Sequence, residues 1–262
     1  MDSLGPGELD AYLRRIGMAA ASDVGIGTLR RVQRAHRLSL PFENVDVLTG
    51  RGVAIDLAAV FAKLVRRRRG GYCFEHNALF LAVLRGLGFS ARVLMGRVWL
   101  NAEGVVPPRN HALTLVSLPD GEWIADAGFG AGCAQPLRLR DGEEVEEDGA
   151  RHWLRRDDAH GWMLMRDDAP QYSFTTDEVW PADLVQANHW TATVAASRFT
   201  RMLVVSRLTD DGQRTLRFAV APPETPPELV VAADRLEAQL SETFGISLTP
   251  DELAALPPLM AA

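Results

Sequence analysis

The chain has 262 residues, 47% of them hydrophobic and 24% charged, with a formal net charge of −6. That length suits two or three packed modules around a substantial core, and the acidic balance argues against a generic nucleic-acid binder. Two cysteines, Cys73 and Cys133, are too few for a disulfide-stapled scaffold, no basic-then-apolar leader opens the chain, and no apolar run reaches membrane-spanning length, so the reading is a cytoplasmic protein with no membrane partner.

Residues 8–38 read as helical, with Leu9, Tyr12, Leu13, Ile16, Leu29, Val32 and Leu38 at helical spacing around a break near Gly25-Ile26-Gly27. Pro41 starts an extended stretch through Asp46. Asp56 is a candidate N-cap for a helix reaching Arg68, with Leu57, Val60, Phe61 and Leu64 on its apolar face. The run from Arg66 to Arg69 reads as the solvated end of that helix, where cations complement the dipole. After Gly70-Gly71 a third helix starts at or beside Cys73 and ends at Gly86 or Gly88. From Phe89 the texture changes. Segments 91–99, 111–118, 122–126, 161–166 and 202–207 are short and rich in Val, Leu, Trp and Thr, with turn signals between them such as Pro107-Pro108, Asp120-Gly121, Asp141-Gly142 and Asp211-Gly212. This predicts a mostly antiparallel β region, with the acidic residues 141–148 as a solvated loop. Pro222-Pro223 and Pro226-Pro227 bracket a linker, and residues 228–243 return to helical spacing.

The chemistry concentrates at Cys73. Two glycines before it let the backbone turn tightly, and a cysteine at a helix N-terminus has amide groups and the helix dipole to stabilise a thiolate. Such a thiolate can attack an acyl carbon; the competing reading is a buried structural cysteine. A nucleophile needs a base. His76 lies one helical turn from Cys73, and His111 heads a strand. Across one hairpin, Asp126 ends the next apolar strand, which brings it to the same end as His111. An aspartate on an apolar strand needs a partner, and the Nδ1–H of His111 fits. Cys73, His111 and Asp126 thus form a candidate nucleophile, base and orienting group. The Gly128-Phe129-Gly130 turn lets backbone amides approach a ligand, and Phe42, Tyr72, Phe74, Phe129 and Trp190 supply an aromatic neighbourhood suited to a flat acceptor. Neither cysteine has a second cysteine at short spacing and no His-x3-His pair occurs, so no metal site is expected. Cys133 reads as a spare thiol in a loop.

At these residues the chain resembles the arylamine N-acetyltransferases. The match runs through Arg69-Gly70-Gly71-Tyr72-Cys73-Phe74-Glu75-His76-Asn77, Pro41-Phe42-Glu43-Asn44, His111, Asp126-Ala127-Gly128-Phe129-Gly130, Ala187-Asn188-His189-Trp190 and Ser197-Arg198-Phe199. It spans about residues 8–218 and resumes at Glu242-Thr243-Phe244-Gly245-Ile246. The resemblance implies an α+β fold with a papain-like cysteine-triad core: a helical domain at 1–88 carrying the nucleophile, an antiparallel β-barrel at 89–190 carrying the histidine and aspartate, and a reduced α/β lid at 191–262. It implies ping-pong acyl transfer through Cys73 to an aryl amine, with no tightly bound cofactor and with acetyl-CoA or another acyl thioester as co-substrate. Phe42, Tyr72, Phe129, Gly128 and Gly130 become candidate substrate contacts.

Two departures widen the expectation. Thr193-Val194-Ala195-Ala196 stands where family members often carry His-Pro, and the chain passes quickly from Phe218 into the proline-rich linker. A reduced third domain resembles the amide synthases that close ansamycin-type macrolactams, for which an acyl carrier protein presents the donor. A cysteine hydrolase would pass the same acyl group to water, and a non-catalytic binding module would tolerate Cys73→Ser.

Overall fold

The computed structural model describes residues 3–19, 23–100, 102, 104–130, 132–147 and 149–262. α1 (Pro6–Arg15) and α2 (Ile26–Ser39) lie on either side of the glycine break, with Gly25 as the N-cap of α2. β1 (Phe42–Glu43) is only two residues long, and α3 (Val45–Leu48) follows at once. The extended stretch expected through Asp46 stops early because the Glu43 carboxylate accepts the Val45 amide at 2.8 Å and turns the chain. α4 (Leu57–Phe61) begins where Asp56 accepts the Ala59 amide at 3.0 Å, and its last turn opens into a π-helical one, Ala62–Arg66.

α5 (Cys73–Gly86) is the centre of the molecule. Every residue from Cys73 to Leu84 is buried, which is the behaviour of a helix covered on all sides. Its Leu79, Phe80, Val83 and Leu84 pack with Tyr12, Leu13, Leu29 and Val32 of α1 and α2 and with Val116 and Trp123 from the sheet.

That sheet comprises β2 (Ser90–Val98), β3 (Arg109–Leu118), β4 (Gly121–Ala125), β5 (Leu137–Arg138), β6 (Glu144–Glu147), β7 (Ala150–Asp157), β8 (Gly161–Arg166) and β9 (Ala169–Phe174). The order is β5-β4-β3-β2-β9-β8-β7-β6, antiparallel throughout. Leu94, Leu113, Leu137, Leu154, Leu164 and Tyr172, from strands spread across it, meet in one cluster, because the sheet rolls into a nearly closed barrel. The solvated loop expected at 141–148 is corrected here: Glu144–Glu147 is a strand paired with β7, and Glu147 is buried. Asp148 lies outside the described residues.

α6 (Pro181–Thr193) crosses over β3, and the chain ends in β10 (Met202–Thr209), β11 (Gly212–Val220), α7 (Ala233–Phe244), α8 (Pro250–Ala254) and β12 (Leu259–Ala261). Helical structure expected from residue 228 begins only at Ala233. Pro227–Leu229 makes a single 3-10 turn, and the Val231 amide is spent on the Leu259 carbonyl, which holds the segment extended. The second sheet has the order β1-β10-β11-β12, so two residues beside the Gly-Gly turn complete the C-terminal sheet. Among the described residues no helix is long and apolar enough to cross a membrane.

Candidate active site

Three elements converge on Cys73. It is the first residue of α5, with Tyr72 as N-cap, and its Sγ lies 3.8 Å from the Asn110 carbonyl of β3. The approach of α5 to the strand ends depends on glycine. A Cβ on Gly128 would sit 2.8 Å from the Cα of Cys73 and 2.5 Å from Nδ2 of Asn77, and one on Gly70 would sit 2.2 Å from the Pro41 carbonyl oxygen.

The β3–β4 hairpin does what its turn implies. Thr114 pairs with Ala125, so His111 and Asp126 emerge at the same end, and His111 Nε2 lies 2.6 Å from Asp126 Oδ2. The contact is through Nε2 and not through the Nδ1 expected from sequence. The imidazole therefore keeps Nδ1 for Cys73, which is within hydrogen-bonding reach of the ring. Burial works against a charged ring, but the Asp126 carboxylate, its hydrogen bond and Cys73 outweigh it and raise His111 to about 10. Burial likewise works against the Asp126 charge, and His111, Asn77 and the Gly128 amide together hold the carboxyl below the usual aspartate range.

The remaining oxygen of Asp126 is fully used. Oδ1 accepts from Asn77 Nδ2 at 3.0 Å and from the amides of Gly128 at 2.9 Å and Phe129 at 3.1 Å. The expectation that the Gly128 amide meets a ligand is thereby corrected: it is committed to the aspartate, and Gly128 serves close packing on Cys73. Gly130 is also tightly packed, against Phe42 and Ser206, and its carbonyl accepts from Ser206 Oγ at 2.9 Å.

A family model described as N-acetyltransferase matches residues 25–253. The chain belongs to that family. The arylamine N-acetyltransferase of Escherichia coli (strain K12) is 40% identical over 215 residues, covering 79% of this chain and 76% of that protein. The structure of the arylamine N-acetyltransferase from Salmonella typhimurium superposes with a TM-score of 0.85 at 33% identity, over 97% of this chain and 98% of that one. A Mycobacterium marinum arylamine N-acetyltransferase in complex with CoA superposes with a TM-score of 0.83 at 30% identity, over 95% and 98% of the two chains.

Around Cys73, His111 and Asp126 of this N-acetyltransferase the aromatic candidates take distinct places. Phe129 meets the His111 ring edge-on at 5.2 Å. Phe42, Tyr72 and Phe74 pack with Cys73 in one cluster. Tyr72 has no exposed surface, and its hydroxyl donates to Asn188 of α6, so its ring is a wall that the fold holds rigidly. His76 is not brought to Cys73. Its Nδ1 pairs with His36 Nε2 at 2.8 Å and its Nε2 faces the Pro41 carbonyl at 3.1 Å. Cys133 lies in the loop between β4 and β5, as expected, but it is buried, with its Sγ 3.1 Å from Glu147 Oε2.

Three residues that serve the site escaped the sequence reading. Asn77 holds Asp126 and, at 2.6 Å, the Ala112 carbonyl. It lies four residues after Cys73, one turn along the same helix face, and that spacing was the available signal. Tyr172, on β9, packs 4.9 Å from the His111 ring, and burial together with the nearby Asp126 charge holds its hydroxyl well above the usual tyrosine range. Arg37 is buried on α2 and donates to the carbonyls of Phe129, Gly130 at 3.3 Å and Gly132 at 3.0 Å, bracing the loop that follows Asp126.

Proposed function

We propose that the protein is an acetyl-CoA-dependent arylamine N-acetyltransferase working by ping-pong transfer through Cys73. The observation that carries this reading is the Cys73–His111–Asp126 geometry, with a carboxylate placed to stabilise the charged ring once His111 has taken the proton of a thiol at a helix N-terminus. Coverage of 98% of the Salmonella typhimurium structure supports it further. In the first half-reaction His111 Nδ1 takes the thiol proton, and the Cys73 thiolate attacks the thioester carbonyl. The carbon–sulfur bond to CoA breaks and the CoA sulfur leaves with a proton from His111. In the second half, the amine nitrogen attacks the acetyl-Cys73 carbonyl, gives a proton to His111 and releases the thiolate. The oxyanion of each step falls to the Cys73 amide, at a helix position whose N–H has no intrahelical acceptor. Phe42 and Phe129 are the apolar walls for the aryl ring.

The division into a nucleophile-bearing helical part at 1–88, a barrel part at 89–190 and a lid at 191–262 belongs to this proposal, as does residence in the cytoplasm. The alternative donor is a carrier-protein thioester, as in an amide synthase. Intact-protein mass spectrometry tests the reading. Wild type mixed with acetyl-CoA should gain one acetyl group that Cys73→Ala does not gain and that an aryl amine then removes. An adduct formed only from a long-chain N-acetylcysteamine thioester would favour the carrier-protein donor, and an acetyl adduct discharged by water as fast as by the amine would favour a hydrolase.

A further inference from the structure

Beneath the Gly70-Gly71 turn lies a buried ionic cluster that the triad does not use. The run Arg66–Arg69 reads in sequence as a solvated helix end, and Arg66, Arg67 and Arg68 are exposed, but Arg69 is buried. Its guanidinium meets Glu43 at 2.9 Å, Asp46 at 3.2 Å and Glu252 of α8 at 2.7 Å. Lys63, equally enclosed, reaches Asp46 at 2.7 Å, Glu75 at 2.7 Å and Glu43 at 4.0 Å. Glu252 has further cations near it, Arg51 at 3.8 Å and Arg67 at 4.0 Å. The interior is then left with three carboxyl groups, on Glu43, Asp46 and Glu75, against two cations. Three negative charges, those of Glu43 and Glu75 buried and that of Asp46 half-buried, cannot be matched by two positive ones, so one carboxyl group is the natural home of a proton.

The contacts distinguish the three. Glu43 takes two guanidinium bonds from Arg69 and the Val45 amide, and Asp46 is shared by Lys63 and Arg69. Glu75 touches a single cation. Its Oε1 accepts from Lys63 Nζ at 2.7 Å, while its Oε2 accepts from the Tyr72 amide at 3.0 Å, closing the first turn of the helix that Cys73 opens. Room for that carboxyl group is made by Gly71, where a Cβ would lie 2.7 Å from Oε2.

We propose that Glu75 is a positioning residue for the nucleophile and that the surplus proton of the buried cluster resides on it. The carboxyl group fixes the backbone at Tyr72, and with it the direction of the Cys73 side chain. Its charge also bears on the thiolate at the same helix end, so an ionised Glu75 opposes the thiolate and a protonated one does not. Burial drives Glu75 upward, to about 7, with Lys63 opposing and Glu43 adding to the rise. The groups facing it are Lys63 from the turn after α4 and Glu43 from β1, with Asp46 and Arg69 one contact further away. The inference rests on Cys73 as nucleophile, and a thiol-reactivity test reads Cys73 without a thioester or an amine, so the two can fail separately.

The experiment is the rate of Cys73 alkylation by iodoacetamide from pH 5.5 to 9, on wild type, Glu75→Gln and Glu75→Ala, with circular dichroism to check each fold. Wild type should show an inflection near pH 7 that belongs to Glu75. Glu75→Gln keeps an acceptor for the Tyr72 amide but cannot ionise; it should stay within about threefold of wild type and lose that inflection. Glu75→Ala should be at least tenfold slower at every pH. An inflection that persists in Glu75→Gln overturns the assignment of the proton, and wild-type rates in a folded Glu75→Ala overturn the positioning role. If Glu75→Ala does not fold, Glu75→Gln decides: alkylation more than tenfold slower than wild type would overturn positioning by the hydrogen bond.

Discussion

The two thiols of this chain are both buried, yet the fold treats them in opposite ways. Cys73 heads a helix and faces an imidazole whose positive charge is upheld by Asp126. Cys133 faces the carboxylate of Glu147, and burial together with that negative charge pushes its thiol up. The histidines divide along the same line. His111 and His76 are equally enclosed, but His111 has a carboxylate and is raised to about 10, whereas burial lowers His76 to about 3, its ring bonded to another imidazole and to a backbone carbonyl with no carboxylate against it. Burial sets how much a charge matters, and the nearest fixed charge sets its sign.

The change that breaks this contrast most completely is Asp126→Asn. An amide in place of the carboxylate keeps the shape but removes the charge and can stabilise the wrong tautomer of His111. In a comparable hydrolytic triad that costs about 10⁴-fold in turnover. A loss of at least 10³-fold in acetyl transfer from acetyl-CoA, measured on a variant with an unchanged circular dichroism spectrum, is the expected result. A loss below tenfold would mean that the carboxylate does not govern the base.

Alkylation sharpens the contrast directly. At pH 7 iodoacetamide should modify Cys73 at least about 100-fold faster than Cys133, since the reactive species is the thiolate, which His111 favours at Cys73, whereas at Cys133 burial and the Glu147 carboxylate outweigh the help of Arg37. Peptide mapping after timed quenching gives both rates in one sample, and equal rates would remove the electrostatic distinction.

Much of the site was legible in the sequence because its parts carry local signals. The glycine pair marks the start of α5, and the Asp120-Gly121 turn fixes the hairpin that brings His111 to Asp126. What was illegible depends on partners distant in the chain. Arg69 reads as one more charge in a basic run until Glu252, 183 positions later, is placed against it. Glu147 reads as part of an acidic loop until Arg34 and Cys133 close around it. Arg37 has no local signature at all, because the carbonyls it holds belong to a loop about ninety residues away. The choice of Nε2 over Nδ1 is a matter of ring orientation, which no spacing encodes.

Arg37 yields a smaller effect of a different kind. Arg37→Met keeps most of the side-chain volume but removes the guanidinium from the carbonyls of Phe129, Gly130 and Gly132; the Gly132 amide still donates to Phe129 and Ser206 Oγ to Gly130, so the Gly132 carbonyl bears the main loss. Unsatisfied buried acceptors cost about 1–3 kcal/mol each before relaxation. A loss of roughly 1–3 kcal/mol in urea unfolding is expected, accompanied by a fall in acetyl transfer as the loop carrying Phe129 loosens against His111. An unchanged unfolding midpoint would show that the loop is held by its packing alone.

The smallest effect separates the two histidines by pH. His111 is raised in the fold, so its contribution to stability is complete below its unfolded value of 6.5 and is lost as pH climbs from there through about 10. His76 is lowered, so its contribution is complete above 6.5 and is lost as pH falls from there toward about 3. Each can add a slope of up to about 1.4 kcal/mol per pH unit, the worth of one proton, on opposite sides of neutrality. His76→Gln retains a donor for the Pro41 carbonyl but cannot titrate. In urea melts between pH 4 and 7 it should therefore flatten the acid side of the stability curve while leaving the alkaline side, which belongs to His111, as it was. A variant whose acid slope matched wild type would show that the proton taken up on unfolding goes to His36 instead, the other member of the buried pair and one whose own protonation burial also suppresses.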